Sequence, residues 1–221
     1  PEDLDHLLQD AMGGVLSTDL VPWADATVSQ MMAQTKMLMG TVVEYKELMM
    51  MYACAIKEVR TKFDVLNTEF KIRYQRSSIS TRLKRTASIT DKLERQNFPF
   101  SLESIEKNVN DVAGIRVICS YIDDIYTIAE AFLRQDDVTL IAQKDYIAHP
   151  KPNGYRSLHL IISIPVFFAD RKKDMKVEVQ IRTIAMDFWA SLEHQLKYKQ
   201  EIPNQPEIIS QLKECSEIIN A

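Results

Sequence analysis

Between residues 112 and 183 lie four runs of strand character, VAGIRVICSY, VTLIAQKDY, YRSLHLIISI and MKVEVQIRT. Each is rich in β-branched and aromatic residues. A helical segment near Asp123 to Arg134 separates the first two, and another from about Ala185 to Lys199 follows the last. Strands interleaved with helices, after a helical N-terminal third, restrict the chain to a mixed sheet covered by helices, in the α/β or α+β class.

The strand VEVQIRT alternates, with Val177, Val179 and Ile181 on one side and Glu178, Gln180 and Arg182 on the other. An edge or half-exposed strand accounts for that division without any chemistry. In YRSLHLIISI, Tyr155, Ser157 and His159 share one parity and Leu158, Leu160 and Ile162 the other, so two strands share a polar face. In NDVAGIRV, Asp111 enters a strand, Gly114 leaves room for a ligand or neighbouring backbone, and Arg116 emerges beyond it. Asp111 and Glu178 make a candidate Mg²⁺ pair, because hard cations take oxygen ligands and keep water and phosphate in their other positions. A structural cap or an ion pair with Arg116 is the alternative for Asp111.

Upstream, residues 1 to 22 read as a short arm. A helix from about Trp23 to Arg76 carries Tyr45, Leu48, Met49, Tyr52, Ile56, Val59, Phe63, Leu66 and Phe70 at spacings of three or four. Its methionines from Met31 to Met51 read as core filler or, failing that, a subunit contact, and Gly40 is expected to weaken the helix or divide it. A helix over Thr81 to Gln96 is expected to stop at NFPF because Pro99 has no N–H to donate. Ser101 then caps a short helix through Asn108. After Pro203 and Pro206 a last helix places Ile208, Ile209, Leu212, Cys215, Ile218 and Ile219 along one side.

The 221 residues carry a net charge of −4, which argues against a surface that is a nucleic-acid footprint throughout. Yet Lys71, Arg73, Arg76, Arg82, Lys84, Arg85, Lys92 and Arg95 cluster against only Asp91 and Glu94. On a helix, Lys84, Ser88, Lys92 and Arg95 span a wedge of about 80°, the donor stripe a polyphosphate requires; a solvated charged face is the alternative. Five glycines serve the whole chain, and one stands in HPKPNGYRSLH, where Gly154 implies a sharp turn or a close approach. Cys54, Cys119 and Cys215 form no C-x-x-C pair, which fits reduced thiols in a cytoplasmic compartment. The longest apolar run, LHLIISIPVFFA, is shorter than the ~20 residues that span a bilayer, so no membrane association is expected.

The order of RLKRTASITDKLER, DVAGIRV, DYIAHPKPNGYRSLH, VEVQIRT and AMDFWASLEH resembles the RelA/SpoT synthetase domain over about Arg82 to Lys199, and more closely the small alarmone synthetases of the RelP type. The resemblance implies a nucleotidyltransferase-like mixed sheet flanked by helices, with N- and C-terminal helical extensions. The expected organisation is an arm and helical extension over 1–76, a synthetase domain over 77–200 and a C-terminal helix over 201–221. It implies transfer of a pyrophosphoryl group from ATP to the 3′-hydroxyl of GDP or GTP, giving the alarmones ppGpp or pppGpp and AMP.

By the same resemblance Arg82, Lys84, Ser88, Lys92 and Arg95 hold ATP, and Arg82 and Arg116 sandwich its adenine. Asp111 binds Mg²⁺, and Glu178 contacts the metal or takes the proton from the acceptor hydroxyl. Gly154 lays Tyr155 against guanine, Lys151 and His159 reach the acceptor's phosphates, Lys144 assists, and Gln180 lies close to the acceptor. Asp187, where many family members carry asparagine, is expected near the guanine edge. A homo-oligomer, in the family a tetramer, is implied, without stable binding of nucleic acid. No histidine is followed by aspartate, so synthesis without hydrolysis is expected. The competing reading is a nucleic-acid or ribosome-binding module whose basic stripe contacts phosphate backbone.

Overall fold

The apolar stripe that begins at Tyr45 folds as expected into a helix, α1, Pro22–Lys71. In the computed structural model, residues 22–71, 78–198 and 205–219 are described. The arm, Arg73, Arg76 and Pro203 lie outside the described residues. Gly40 sits inside α1 without dividing it; its cost of about 1 kcal/mol relative to alanine is small against a helix of such length. Leu48, Tyr52, Ile56, Val59, Phe63 and Leu66 are buried. The methionines depart from the core expectation, since Met31, Met32, Met37, Met39 and Met50 are exposed, and between Met31 and Met51 only Met51 is buried. The described residues divide into two units, one up to residue 46 and the other from residue 47 onward.

Five strands form one sheet: β1, Ser78–Leu83; β2, Ala113–Cys119; β3, Thr139–Asp145; β4, Leu158–Phe167; and β5, Lys172–Thr183. Their order is β1-β2-β5-β4-β3, with β2 and β5 parallel and the other neighbours antiparallel. Strand β1 was not expected. It occupies residues read as loop and helix start, because an exposed edge strand needs no apolar alternation to announce it. Arg82 and Lys84 are therefore not helical. The helix α2 covers only Thr86–Arg95. It ends at Asn97, whose φ of 56° is left-handed, while Phe98 N–H donates to Leu93 O and Asn97 N–H to Glu94 O. That paired closure stops the helix before Pro99 is reached.

Helices α3, Leu102–Asn108, and α4, Ile122–Leu133, lie close to their expected bounds, and the Ser101 hydroxyl caps α3 by accepting from Ser104 N–H. Helix α5 covers Ile184–Tyr198 and α6 covers Gln205–Ile219. On α6 the apolar side is not uniformly buried: Ile209, Cys215 and Ile218 are exposed and Ser216 is buried. One face of the sheet presents Val117, Leu160, Ile162, Val177, Val179 and Ile181, all nearly or fully buried. Phe63 of α1 stacks on Phe132 of α4, with ring centroids 4.4 Å apart. The strand β5, read as an edge or half-exposed strand, is central, so an edge position does not explain its polar alternation.

Candidate functional site

Register decides which polar side chains meet. Across the sheet Ser80 pairs with Arg116, Arg116 with Gln180, Gln180 with His159, and His159 with Lys144. The adjacent row joins Arg82 to Gly114, Gly114 to Glu178, and Glu178 to Ile161. Residues two apart on a strand share a face, so Arg82, Arg116, Glu178, Gln180 and His159 occupy one side. A Cβ on Gly114 would lie 3.5 Å from the Arg82 carbonyl, ordinary contact with neighbouring backbone.

Asp111, just ahead of β2, is the hub of the basic stretch. Lys84 Nζ donates to its Oδ2 at 2.7 Å and Lys92 Nζ to its Oδ1 at 2.6 Å. The alternative of an Arg116 partner is overturned, because Arg116 pairs with Asp187 at 3.2 Å. Burial pushes the Asp111 carboxyl up, but the bonds and charges of the two lysines outweigh it and hold it below its ordinary value. Although Lys84 precedes α2, it converges with Lys92 on one acid. Ser88 is half-buried on α2, and Arg95 is exposed with Nε donating to Asp91 O. Burial lowers the pKa of Arg116, followed by repulsion from Arg182 and Arg82 against the pull of Asp187. Arg82 and Arg116 are thus close enough to sense each other, and the buried Nε of Arg116 has no partner.

Glu178 stands at the centre of the polar face. His159 Nδ1 lies 3.2 Å from its Oε1, and Gln180 Nε2 donates to its Oε2 at 2.9 Å. Burial raises this carboxyl and His159 and Gln180 lower it, with a net position below the ordinary 4.5; the nearby charge of Asp111 opposes that fall. Tyr155 Oη contacts His159 Nε2 at 2.8 Å. Arg182 Nη2 donates to both Tyr155 Oη at 2.6 Å and Gln180 Oε1 at 2.9 Å. Asp187 accepts from Arg182 Nη1 at 3.2 Å as well as from Arg116. Its carboxylate therefore joins two arginines, where the sequence expectation gave it only a nucleobase edge.

The turn containing Gly154 is built as its sequence implies. Gly154 N–H donates to Lys151 O, and Lys151 N–H to Tyr155 O. Gly154 has φ of +90°, a conformation that L side chains rarely adopt, and an added Cβ would come within 3.2 Å of Ser216 Cβ. What approaches this glycine is α6: Ser216 Oγ donates to its carbonyl at 2.6 Å. Tyr155 precedes β4 and is not on it. Its ring meets those of Tyr146, His159 and Trp189 edge-on, and Lys151 Nζ lies 4.6 Å from the Tyr146 centroid and 4.8 Å from that of Tyr155. Lys144 is exposed on β3.

The structure brings Asp111, Lys84 and Lys92 together, and Glu178, Gln180, His159, Tyr155 and Lys151 together. Sequence reasoning missed Tyr146 and Arg182 as members of the site. Arg182 carried a signal, its parity with Glu178 and Gln180, but burial to 5% exposure is not legible in alternation. Among the described residues no three His, Cys, Asp or Glu side chains form a metal-holding group. A cation on Asp111 and Glu178 would draw its remaining ligands from water and phosphate, which suits Mg²⁺. No described helix is long and apolar enough to cross a membrane.

Residues 81–203 match the model of the region found in RelA/SpoT proteins. The chain is 41% identical over 184 residues to the GTP pyrophosphokinase YwaC of Bacillus subtilis, covering 80% of this chain and 87% of that protein. It is similar to the crystal structure of small alarmone synthetase 2 from Bacillus subtilis, with a TM-score of 0.71 and 41% identity over 79% of this chain and 91% of the other. Small alarmone synthetase 1 from the same organism, bound to its product pppGpp, superposes with a TM-score of 0.67 at 36% identity over 76% and 86%.

Proposed function

This chain belongs to the family defined by the region found in RelA/SpoT proteins, and on that premise we propose that it is a GTP pyrophosphokinase synthesising ppGpp and pppGpp. The donor is ATP, the acceptor GDP or GTP, and AMP is released. The observation that carries this reading is the parallel pairing of Gly114 with Glu178. It sets the Asp111–Lys84–Lys92 cluster next to the Glu178–His159–Tyr155 cluster on one sheet face.

The 3′-oxygen of the acceptor attacks the β-phosphorus of ATP in line, and the bond from that phosphorus to the AMP oxygen breaks. Glu178, ionised and with one hydrogen bond on each oxygen, takes the hydroxyl proton. Lys84, Lys92 and Arg95 donate to the phosphate oxygens where charge accumulates, and Ser88 adds a hydroxyl. Arg82 and Arg116 hold the adenine between flat guanidinium planes. Tyr155 stacks on guanine, Lys151, Lys144 and His159 meet the acceptor's phosphates, and Gln180 lies beside it. Asp187 retains one oxygen that makes no arginine contact, available to the guanine N–H edge. Asp111 and Glu178 would hold Mg²⁺, which supplies charge neutralisation on the phosphoryl oxygens.

The enzyme is cytoplasmic, in keeping with free thiols at Cys54, Cys119 and Cys215. It assembles as a homotetramer, for which the exposed methionines of residues 31–50 offer apolar surface. Incubation with ATP, Mg²⁺ and GDP or GTP should yield AMP and a guanosine phosphorylated at 3′ in equal amounts. Release of ADP or inorganic phosphate without that product would overturn the reading.

A further inference from the structure

The side chains around Glu178 close into a ring: Arg182 to Tyr155, Tyr155 to His159, His159 to Glu178, Glu178 to Gln180, and Gln180 back to Arg182. Donor counting gives that ring a direction. A guanidinium can only donate and an ionised carboxylate can only accept. Arg182 therefore occupies an acceptor position on both of its neighbours, Tyr155 Oη and Gln180 Oε1. The Gln180 amide must turn its NH₂ toward Glu178. The Tyr155 hydroxyl, with Arg182 on its oxygen, lies against His159 Nε2. His159 Nδ1 in turn lies against Glu178 Oε1.

We infer that Arg182 is a positioning residue for pyrophosphoryl transfer: through Gln180, and through Tyr155 and His159, it holds the contacts on the two oxygens of Glu178. The result is a carboxylate with a fixed neighbour on each oxygen, which leaves lone pairs for the reacting hydroxyl or a cation. Asp187 and Ser157 hold the guanidinium in place, Asp187 through Nη1 and Ser157 through Nε. Nearly complete burial leaves Arg182 no route to solvent, so its donors are committed to these partners. Lysine keeps the charge but loses the fork that serves Tyr155, Gln180 and Asp187 at once.

The inference rests on Glu178 as the proton acceptor, and the test separates the two. Steady-state kinetics of Arg182→Lys and Tyr155→Phe read that positioning directly, since both leave the groups that meet ATP in place. In both, kcat should fall by about 10- to 100-fold, the usual cost of removing a group that orients another, with KM for ATP unchanged. Tyr155→Phe deletes one hydroxyl and keeps the ring, so it decides the matter if Arg182→Lys does not fold. Wild-type kcat in the folded variants, or a raised KM for ATP that accounts for the whole loss, overturns the inference. Retained synthesis in Glu178→Gln would instead overturn the assignment of Glu178.

Discussion

At the scale of single residues the site is a pair of acids kept ionised by different means. Asp111 is held below its ordinary 3.8 by two ammonium groups, and Glu178 below its ordinary 4.5 by hydrogen bonds from neighbours on the sheet, each against the opposing pull of burial. A carboxyl whose folded value is depressed adds stability that is complete above its unfolded value and lost as pH falls through the folded one. Stability should therefore fall as pH drops from the ordinary carboxylate range toward the depressed folded values, and Lys92→Met should move the acid transition followed by circular dichroism to higher pH. Replacing Glu178 with glutamine should reduce synthesis by roughly 10²- to 10⁴-fold, the range of a lost general base. ATP binding by calorimetry should survive that change. The sequence named both acids because their residue type and spacing are chemical signals. The alternative of Arg116 as the partner of Asp111 did not hold, since the pairing of Arg116 with Asp187 depends on how β2 and α5 meet in space.

At the scale of elements, the polar loop before β4 owes its shape to contacts far away in sequence. Gly154 combines a left-handed φ with the close approach of Ser216 and Trp189, so alanine there meets both a backbone and a packing cost. Gly154→Ala should lose about 1–3 kcal/mol in denaturant unfolding and should raise KM for the acceptor more than for ATP, because the same turn carries Lys151 and Tyr155. The closure of α2 makes a contrasting case. Asn97→Gly should be neutral or slightly stabilising, while Asn97→Val should destabilise by about 1–2 kcal/mol, as a Cβ-branched residue tolerates the left-handed region poorly. The turn at Gly154 was legible because glycine is scarce in the chain. The start of α2 was not: SISTRL has no apolar period, and only pairing with β2 reveals it as a strand.

At the scale of the whole molecule, the order of strands turns a list of motifs into one site. The alternation of β5 and β4 was readable from the sequence, but the central position of β5 was not, because strand order depends on crossovers that leave no local pattern. Burial along α1 followed the periodicity from Leu48 onward. The exposure of Met31, Met37 and Met39 did not, since methionine serves cores and contact surfaces alike. Sedimentation of Met37→Glu should show a smaller assembly than the wild type; an unchanged one would remove those residues from the association surface. The central claim is that this sheet face joins the β-phosphorus of ATP to a guanosine 3′-oxygen. ATP labelled in its β-phosphoryl group, incubated with GTP and Mg²⁺, tests it most directly. The label should leave AMP unlabelled and appear in the 3′-pyrophosphate of the guanosine product, and Glu178→Gln should slow the transfer by roughly 10²- to 10⁴-fold. Label found in ADP or free phosphate, with none on guanosine, would contradict it.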